Sequence, residues 1–430
     1  MFKTIINAWK IADLRKKMLF TALIVFIFRL GAALPVPFVN ISGGLISDQN
    51  ANNFMTYLSM MTGDAFNYGT LFAMSITPYI NASIIIELLT VAIPALERLA
   101  KEGEEGRKKI STITRYSSVV LALMQSTAYY FYIRSQNYLS LDADGNKFTG
   151  FFAVAFTAGA ALVMWLGEQI DVKGIGNGIS IILFAGIVSR MPTTLYSLYS
   201  YMDKGGAYYV LAPIAFVSLI LMIGFIVWMD NAERRIPVQY AKRVVGRKMY
   251  GGQSTHIPIK VNMCGVLPII FASSILSLPP TIQMFVTVKE GGFWAGFFKI
   301  FETTHWAYGI MYFVLIIFFA YFYAAIQYNP IEMANNIRKN SGAIPGIRPG
   351  KPTSDYITKI LSRLTLLGAL LLSVVALFPL LFSQITGAFH HQVNLSLGGT
   401  SIIIMVGVAL ETVKQLESQM MMRHYKGFLD

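Results

Sequence analysis

Cysteine and charge are what this chain has least of. Cys264 is the only cysteine among 430 residues, so no disulfide can form within the chain and cysteine marks no redox compartment. Charged residues make up 13%, where a soluble domain carries about a quarter. With 55% hydrophobic residues and a mean hydropathy of +0.55, this excludes an ordinary soluble domain and predicts a polytopic membrane protein. Signatures of catalysis are missing too. There is no His-Glu-x-x-His, no Gly-x-Ser-x-Gly and no Walker phosphate loop. The five histidines, His256, His305, His390, His391 and His424, fall in loops or the tail, and adjacent His390 and His391 lack further ligands for a metal. Gly174-Ile-Gly-Asn-Gly178 is glycine-rich but no strand precedes it, which argues against a phosphate cradle. No enzymatic activity, cofactor or metal is expected. The first long apolar run begins at Met18, has no small-residue cleavage site and ends in Pro35-Val-Pro37, so no cleavable signal peptide is expected.

What is present is a series of apolar stretches near the roughly 20 residues that a helical span needs. Ten are legible, at about 18–37, 71–94, 116–133, 151–168, 178–199, 211–229, 264–286, 308–327, 364–386 and 400–416. The net charge of +13 lies between them and alternates. Lys and Arg number five in 1–17, six in 95–115, seven in 230–261 and six in 328–363, against none in 39–70 and 387–399. Basic loops stay on the cytoplasmic side, so both termini are predicted to be cytoplasmic. Residues 1–17 read as an amphipathic interfacial helix, with Phe2, Ile5, Ile6, Trp9 and Leu14 on one face. Ionisable residues within the spans are few; among them are Arg29, placed to snorkel from the outer end of the first span, Glu87, and Glu411 near the end of the tenth.

Two of the stretches carry the same pattern 190 residues apart: Pro78-Tyr-Ile-Asn-Ala-Ser-Ile-Ile85 and Pro268-Ile-Ile-Phe-Ala-Ser-Ser-Ile275. Ser180-Ile-Ile-Leu183 and Ser401-Ile-Ile-Ile404 form a weaker pair in the fifth and tenth spans. Ten spans divide as five plus five, and because five is odd the second half enters the membrane from the opposite side. The expected fold is therefore all-α, two inverted five-helix halves with a site between them. The expected divisions are 1–17, 18–199, 200–416 with loops 230–261 and 328–363, and a tail 417–430. A secondary transporter would share this architecture, but it usually keeps charged groups near the midplane, and here the centres of the repeated helices are aliphatic with small hydroxyls. An intramembrane enzyme would need a nucleophile and base that the spans lack.

The loops carry a resemblance. Arg234-Arg-Ile-Pro-Val-Gln-Tyr-Ala-Lys-Arg243 with Gly251-Gly-Gln-Ser-Thr-His-Ile-Pro-Ile-Lys-Val-Asn-Met-Cys-Gly265, and Ser341-Gly-Ala-Ile-Pro-Gly-Ile-Arg-Pro-Gly350, resemble the cytoplasmic loops of the SecY family of protein-translocation channels. Lys101-Glu-Gly-Glu-Glu-Gly-Arg-Lys-Lys-Ile110, Gly174-Ile-Gly-Asn-Gly-Ile-Ser180 and Gly398-Gly-Thr-Ser401 fit as well, and the likeness runs from about residue 9 to 425.

The resemblance implies a clamshell channel closed by a short plug helix, with an aliphatic ring at its waist and a lateral gate to lipid between helices two and three on one side and seven and eight on the other. It implies ring positions at Ile76, Ile80, Ile179, Leu183, Ile270 and Ile404; isoleucines at such spacing would otherwise read as facing lipid or neighbouring helices. The implied plug spans about 54–66 and includes Tyr57, Leu58, Met60, Met61, Gly63 and Ala65. There the family often has two glycines and this chain has Gly63-Asp64; Ser75 likewise replaces a usual glycine and Glu87 a usual glutamine. Gate positions are Asn81, Ser83, Gln125, Ser273, Ser274 and Leu278. Arg243, Arg247, Lys248, Arg348 and Lys351 would dock a motor or a ribosome through carboxylates or RNA phosphates; the bland alternative is topogenic charge. The implied partners are the SecE and SecG subunits, the SecA ATPase, the ribosome, preprotein signal sequences and membrane lipids, and the implied location is the bacterial cytoplasmic membrane.

Overall fold

The computed structural model describes residues 2–37, 39, 41, 44–45, 59, 62–135, 138, 149–203, 206, 208–240, 243–245, 248–250, 254–283, 293–301, 305–388 and 399–426. Within them the chain is a bundle of helices with two small sheets, one of three strands and one of two. The helices before the sheet are α1 (Phe2–Lys10), α2 (Ala12–Ala33), α3 (Thr77–Ala92), α4 (Pro94–Lys101), α5 (Glu104–Ser135), α6 (Thr149–Lys173), α7 (Gly178–Ser189), α8 (Met191–Asp203) and α9 (Tyr208–Asn231). The strands β1 (Glu233–Tyr240), β2 (Arg243–Val245), β3 (Lys248–Tyr250) and β4 (Ser254–Lys260) follow. Then come α10 (Leu267–Gln283), α11 (Phe293–Ile300), α12 (Trp306–Gln327), α13 (Pro330–Lys339), β5 (Gly342–Ala343), α14 (Lys351–Ala388) and α15 (Gly399–Lys426).

All ten expected spans overlap helices, the fifth taking in both α7 and α8. Among the described residues, six helical stretches are long and apolar enough by themselves to cross a membrane, and α3 with α4 makes a seventh, bent by 101°. Ile93, in extended conformation, and Pro94 at the start of α4 make that bend. On exposed α4, Lys101 donates to Glu97 at 2.6 Å one turn away and holds its carboxyl below the usual range.

Several boundaries differ from the expectation. The N-terminal helix ends at Lys10, because Ile11 is extended (φ −88°, ψ 116°) and restarts the chain as α2. Leu14 is therefore buried in the next helix, while Ile5, Ile6 and Trp9 stay exposed on α1. α1 lies on α15, with Thr4 Oγ1 donating to Glu417 Oε1 at 2.9 Å. The second and seventh spans begin at Thr77 and Leu267, not at 71 and 264, since Pro78 and Pro268 each occupy the second helical position, where a missing N–H breaks no bond. The division at 199/200 falls inside α8, and α15 runs past 416 to Lys426 without a break.

The loops 230–261 and 328–363 are not separate. β1 pairs antiparallel with β4 from Glu233↔Lys260 to Gln239↔Ser254, and with β5 at Gln239↔Ala343 and Tyr240↔Gly342. Ile236 and Val238 point inward from β1 and, with Ile259, Ile337, Ile344, Ile357 and Leu361, form a core that joins both loops to the start of α14. Pro237 can sit in β1 because only β4 pairs there. The largest apolar core lies among α2, α3, α6, α7, α9, α10, α12, α14 and α15.

Candidate functional site

The two copies of the repeat share a backbone that reaches further than their sequences do. Three residues before each proline the chain turns left-handed, at Ser75 (φ +46°) and Gly265 (φ +60°). Ile76 and Val266 then cap the two helices in the same way. The Ile76 carbonyl accepts from Tyr79 and Ile80 N–H, both at 3.1 Å, and the Val266 carbonyl accepts from Ile269 and Ile270 N–H, both at 3.2 Å. Ile76 thus stands just outside α3, one turn before Ile80. Ile80 and Ile270 occupy equivalent first-turn positions.

The fifth helices repeat in register as well. Asn177 caps α7, its side chain accepting from Ser180 N–H at 3.1 Å, and Asp171 Oδ1 accepts from Gly178 N–H at 2.7 Å. Gly178 lies so close to α6 that a Cβ there would stand 1.9 Å from the Gly167 carbonyl oxygen; at Gly399 a Cβ would stand 2.2 Å from that of Val375 on α14. The glycine-rich stretch 174–178 therefore seats one helix backbone on another. Ile179 and Leu183 follow from the first seat, Thr400 and Ile404 from the second.

Ile76, Leu183, Ile270 and Ile404 are buried in the one large core, and Ile80 and Ile179 pack half-buried against it. Thr400, the counterpart of Ile179, shares a 2.9 Å hydrogen bond with the Tyr312 hydroxyl of α12. Among the described residues no group of three or more His, Cys, Asp or Glu side chains could hold a metal.

Of the plug candidates, Tyr57, Leu58, Met60 and Met61 lie outside the described residues. Gly63 and Ala65 belong to a run of turns, with Gly63 (φ +65°) and Asp64 (φ +70°) both left-handed. A Cβ on Gly63 would meet the Arg29 guanidinium, the Gly186 carbonyl oxygen and Ser189 Oγ, each at 2.9 Å, so this turn sits directly on α7. Ala65 is buried, and Tyr129 of α5 donates its hydroxyl to the Phe66 carbonyl. Arg29 does not snorkel outward. It is half-buried, and Nη1 donates to the Gly63 carbonyl at 3.5 Å, because a polar turn lies within its reach. Arg190 was missed in the sequence although it falls inside the expected fifth span. An arginine there is itself a signal of function. It ends α7 and pairs with Asp64, Nε to Oδ2 at 3.1 Å.

Asn81 and Ser83 are half-buried on α3 and Gln125 on α5. Ser273 is buried on α10 and donates to the Ile270 carbonyl at 3.0 Å, Ser274 is half-buried beside it, and Leu278 lies on the same helix. α3 packs chiefly on α5 and α10 chiefly on α12, and Glu87 of α3 is half-buried. Of the docking candidates, Arg243 and Lys248 fall on the paired strands β2 and β3, and Arg247, between them, lies outside the described residues. Arg348 and Lys351 are exposed at the start of α14, where Thr353 Oγ1 donates to the Arg348 carbonyl at 2.9 Å.

Comparison with known proteins gives the same direction. A family model described as SecY matches residues 70–413. Proteins named protein translocase subunit SecY from Mycobacterium bovis and from Streptomyces scabiei are each 44% identical, over 100% of both chains. That from Corynebacterium glutamicum is 42% identical over 99% of both. Among solved structures, one described as a protein conducting channel superimposes with a TM-score of 0.63 at 16% identity, covering 94% of this chain and 92% of the other. Sec61 from a canine ribosome–channel complex of the endoplasmic reticulum superimposes with a TM-score of 0.60 at 15% identity over the same shares. At such identities the structures speak for the fold alone, while the sequence matches span the chain from end to end. The protein belongs to the SecY family.

Proposed function

We propose that this chain is the pore-forming subunit of a protein-conducting channel that passes unfolded preproteins across the bacterial cytoplasmic membrane and releases apolar segments sideways into lipid. The observation that carries this reading is the convergence of equivalent side chains from two halves. Ile80 with Ile270, and Leu183 with Ile404, reach one apolar core from helices that start alike. Ile76 and Ile179 complete a ring of six. A polypeptide in transit varies in size and charge, so a fixed polar site would not suit it. Aliphatic side chains hold no sequence tightly, and a narrow apolar gap dewets and resists ions.

The turn around Gly63 and Asp64 belongs to the plug that closes the ring, over about 54–66. The lateral gate runs between α3 and α5 on one side and α10 and α12 on the other. Its small polar residues, Asn81, Ser83, Gln125, Ser273 and Ser274, with Leu278, suit an interface that must part, since such contacts contribute about 1 kcal/mol or less in membranes. Both termini and the joined loops face the cytoplasm. The sheet built from those loops, with Arg243, Arg247 and Lys248 near β2 and β3 and Arg348 and Lys351 near α14, receives the SecA motor or the ribosome. A channel of the same fold, Sec61, was solved in a complex with a ribosome, which supports the ribosome as a partner. SecE and SecG complete the channel, and signal sequences and lipid meet at the gate.

The test is reconstitution in vesicles with the partner subunits, the motor ATPase and ATP. A signal-bearing polypeptide is expected to enter, and Ile270→Asn or Ile404→Asn is expected to raise resting ion leak several-fold by wetting the waist. Transport of a small solute but never of a polypeptide would overturn the reading, and unchanged leak in both variants would overturn the ring.

A further inference from the structure

One polar cluster stands apart from the apolar waist and joins three segments distant in sequence. At its centre is Asp64, in a left-handed turn that Asp tolerates better than most residues. Its Oδ2 lies 3.1 Å from Arg190 Nε, and its Oδ1 accepts from Ser59 Oγ at 2.8 Å. Arg190 Nη1 donates to the same Ser59 Oγ at 3.4 Å. Arg29, on α2, donates to the Gly63 carbonyl and feels the Asp64 charge. The backbone closes the turn, with Asp64 N–H donating to the Ser59 carbonyl at 3.0 Å. The Asp64 and Arg190 side chains are only 23% and 17% exposed, so their attraction is less screened than that of a surface pair. Arg190 ends the helix whose other end carries Ile179 and Leu183, and a cation at a helix C-terminus is itself favourable.

We infer that Arg190 and Arg29 form a two-arginine latch that holds Ser59 and the Thr62–Phe66 turn on the ring-bearing helix α7 while the channel is closed, and that parting Asp64 from Arg190 is a step of opening. The inference rests on the channel reading above. It assigns a positioning role to a charge pair that takes no part in the ring. Ala65 and Phe66 are buried, Phe66 against Tyr129 of α5, whereas the contact to α7 is made by Gly63, where no side chain intervenes, so on the α7 side of the turn the charges supply the hold. An ion pair suits a contact that must be both firm and reversible, because water can solvate each partner once they separate.

The test uses the reconstituted channel with its partner subunits. Asp64→Asn keeps tolerance of the left-handed turn and removes the charge; Arg190→Gln removes the other. Each is expected to raise resting ion leak about fivefold, and the double variant no further than either alone, as expected of partners in one interaction. Arg190→Lys keeps the cation without the fork and is expected to leak to an intermediate degree; it carries the test if either neutral variant fails to fold. A merely structural pair would lower the melting temperature and leave the leak where it was. Wild-type vesicles that translocate a polypeptide while all three variants keep wild-type leak would overturn the latch alone. Additive leak in the double variant would overturn the pairing. Vesicles that translocate nothing would overturn the channel reading and the latch with it.

Discussion

The helix starts at Pro78 and at Pro268 follow one backbone course with different side chains. At the left-handed residue the second copy has Gly265, with open space where a Cβ would go, and the first has Ser75, whose hydroxyl is buried with no hydrogen-bond partner among the described residues. At the capping position Ile76 faces Val266. At the second residue of the fifth helices, Ile179 is turned to the apolar core while Thr400 is tied to Tyr312. Of the six side chains proposed for the ring, the first half offers four and the second half two. The duplicated feature is the backbone turn and the helix seat; the side chains at those places are free to differ, and the imbalance of the proposed ring arises at two of them, Val266 opposite Ile76 and Thr400 opposite Ile179.

The comparison breaks most visibly at the glycine seats. Gly178→Ala and Gly399→Ala each push a methyl group into a carbonyl of the neighbouring helix, and each is expected to destabilise the protein by about 3 kcal/mol. Thermal unfolding of the purified protein checks this, and a large loss in one variant alone would show that the seats are not equivalent. A smaller effect is expected at the left-handed turns, with opposite signs. Gly265→Ser should lower stability by about 1–2 kcal/mol, the penalty of that conformation for a residue with a Cβ. Ser75→Gly removes the same penalty and an orphaned hydroxyl, and it should raise stability by about 1 kcal/mol after the greater freedom of glycine in the unfolded chain is counted. Equal signs in the two denaturation curves would undo the equivalence. The smallest effect is expected for Tyr312→Phe, which deletes the bond to Thr400 at about 0.5–1 kcal/mol, read from the same denaturation curves.

Much of this arrangement is legible in the chain. Pro78 and Pro268 announce the first turns of their helices, and the shared Ile, Ala and Ser place equivalent side chains one turn later. The alternation of Ile236 and Val238 in β1 is a strand signal, overlooked because a basic loop was expected there. Its partner β5 is about a hundred residues away, and no local pattern names a partner at that distance. Arg29 illustrates the opposite failure. Snorkelling is the sound expectation for an arginine near a helix end, and it is overridden only because the Gly63 carbonyl and Asp64 lie close by.

The sequence alone determined the membrane class, the ten apolar stretches, the two-fold repeat and the aliphatic character of its centre. Each of these depends on composition or short-range spacing, which the chain carries wherever it folds. Only the tertiary structure decided that the repeat extends to Ser75 and Gly265, that Gly178 and Gly399 fit against neighbouring backbones, and that Asp64 meets Arg190. Those features depend on atoms within a few ångströms of each other from residues far apart in the chain, and a charge or a missing Cβ has no meaning until its neighbour is fixed.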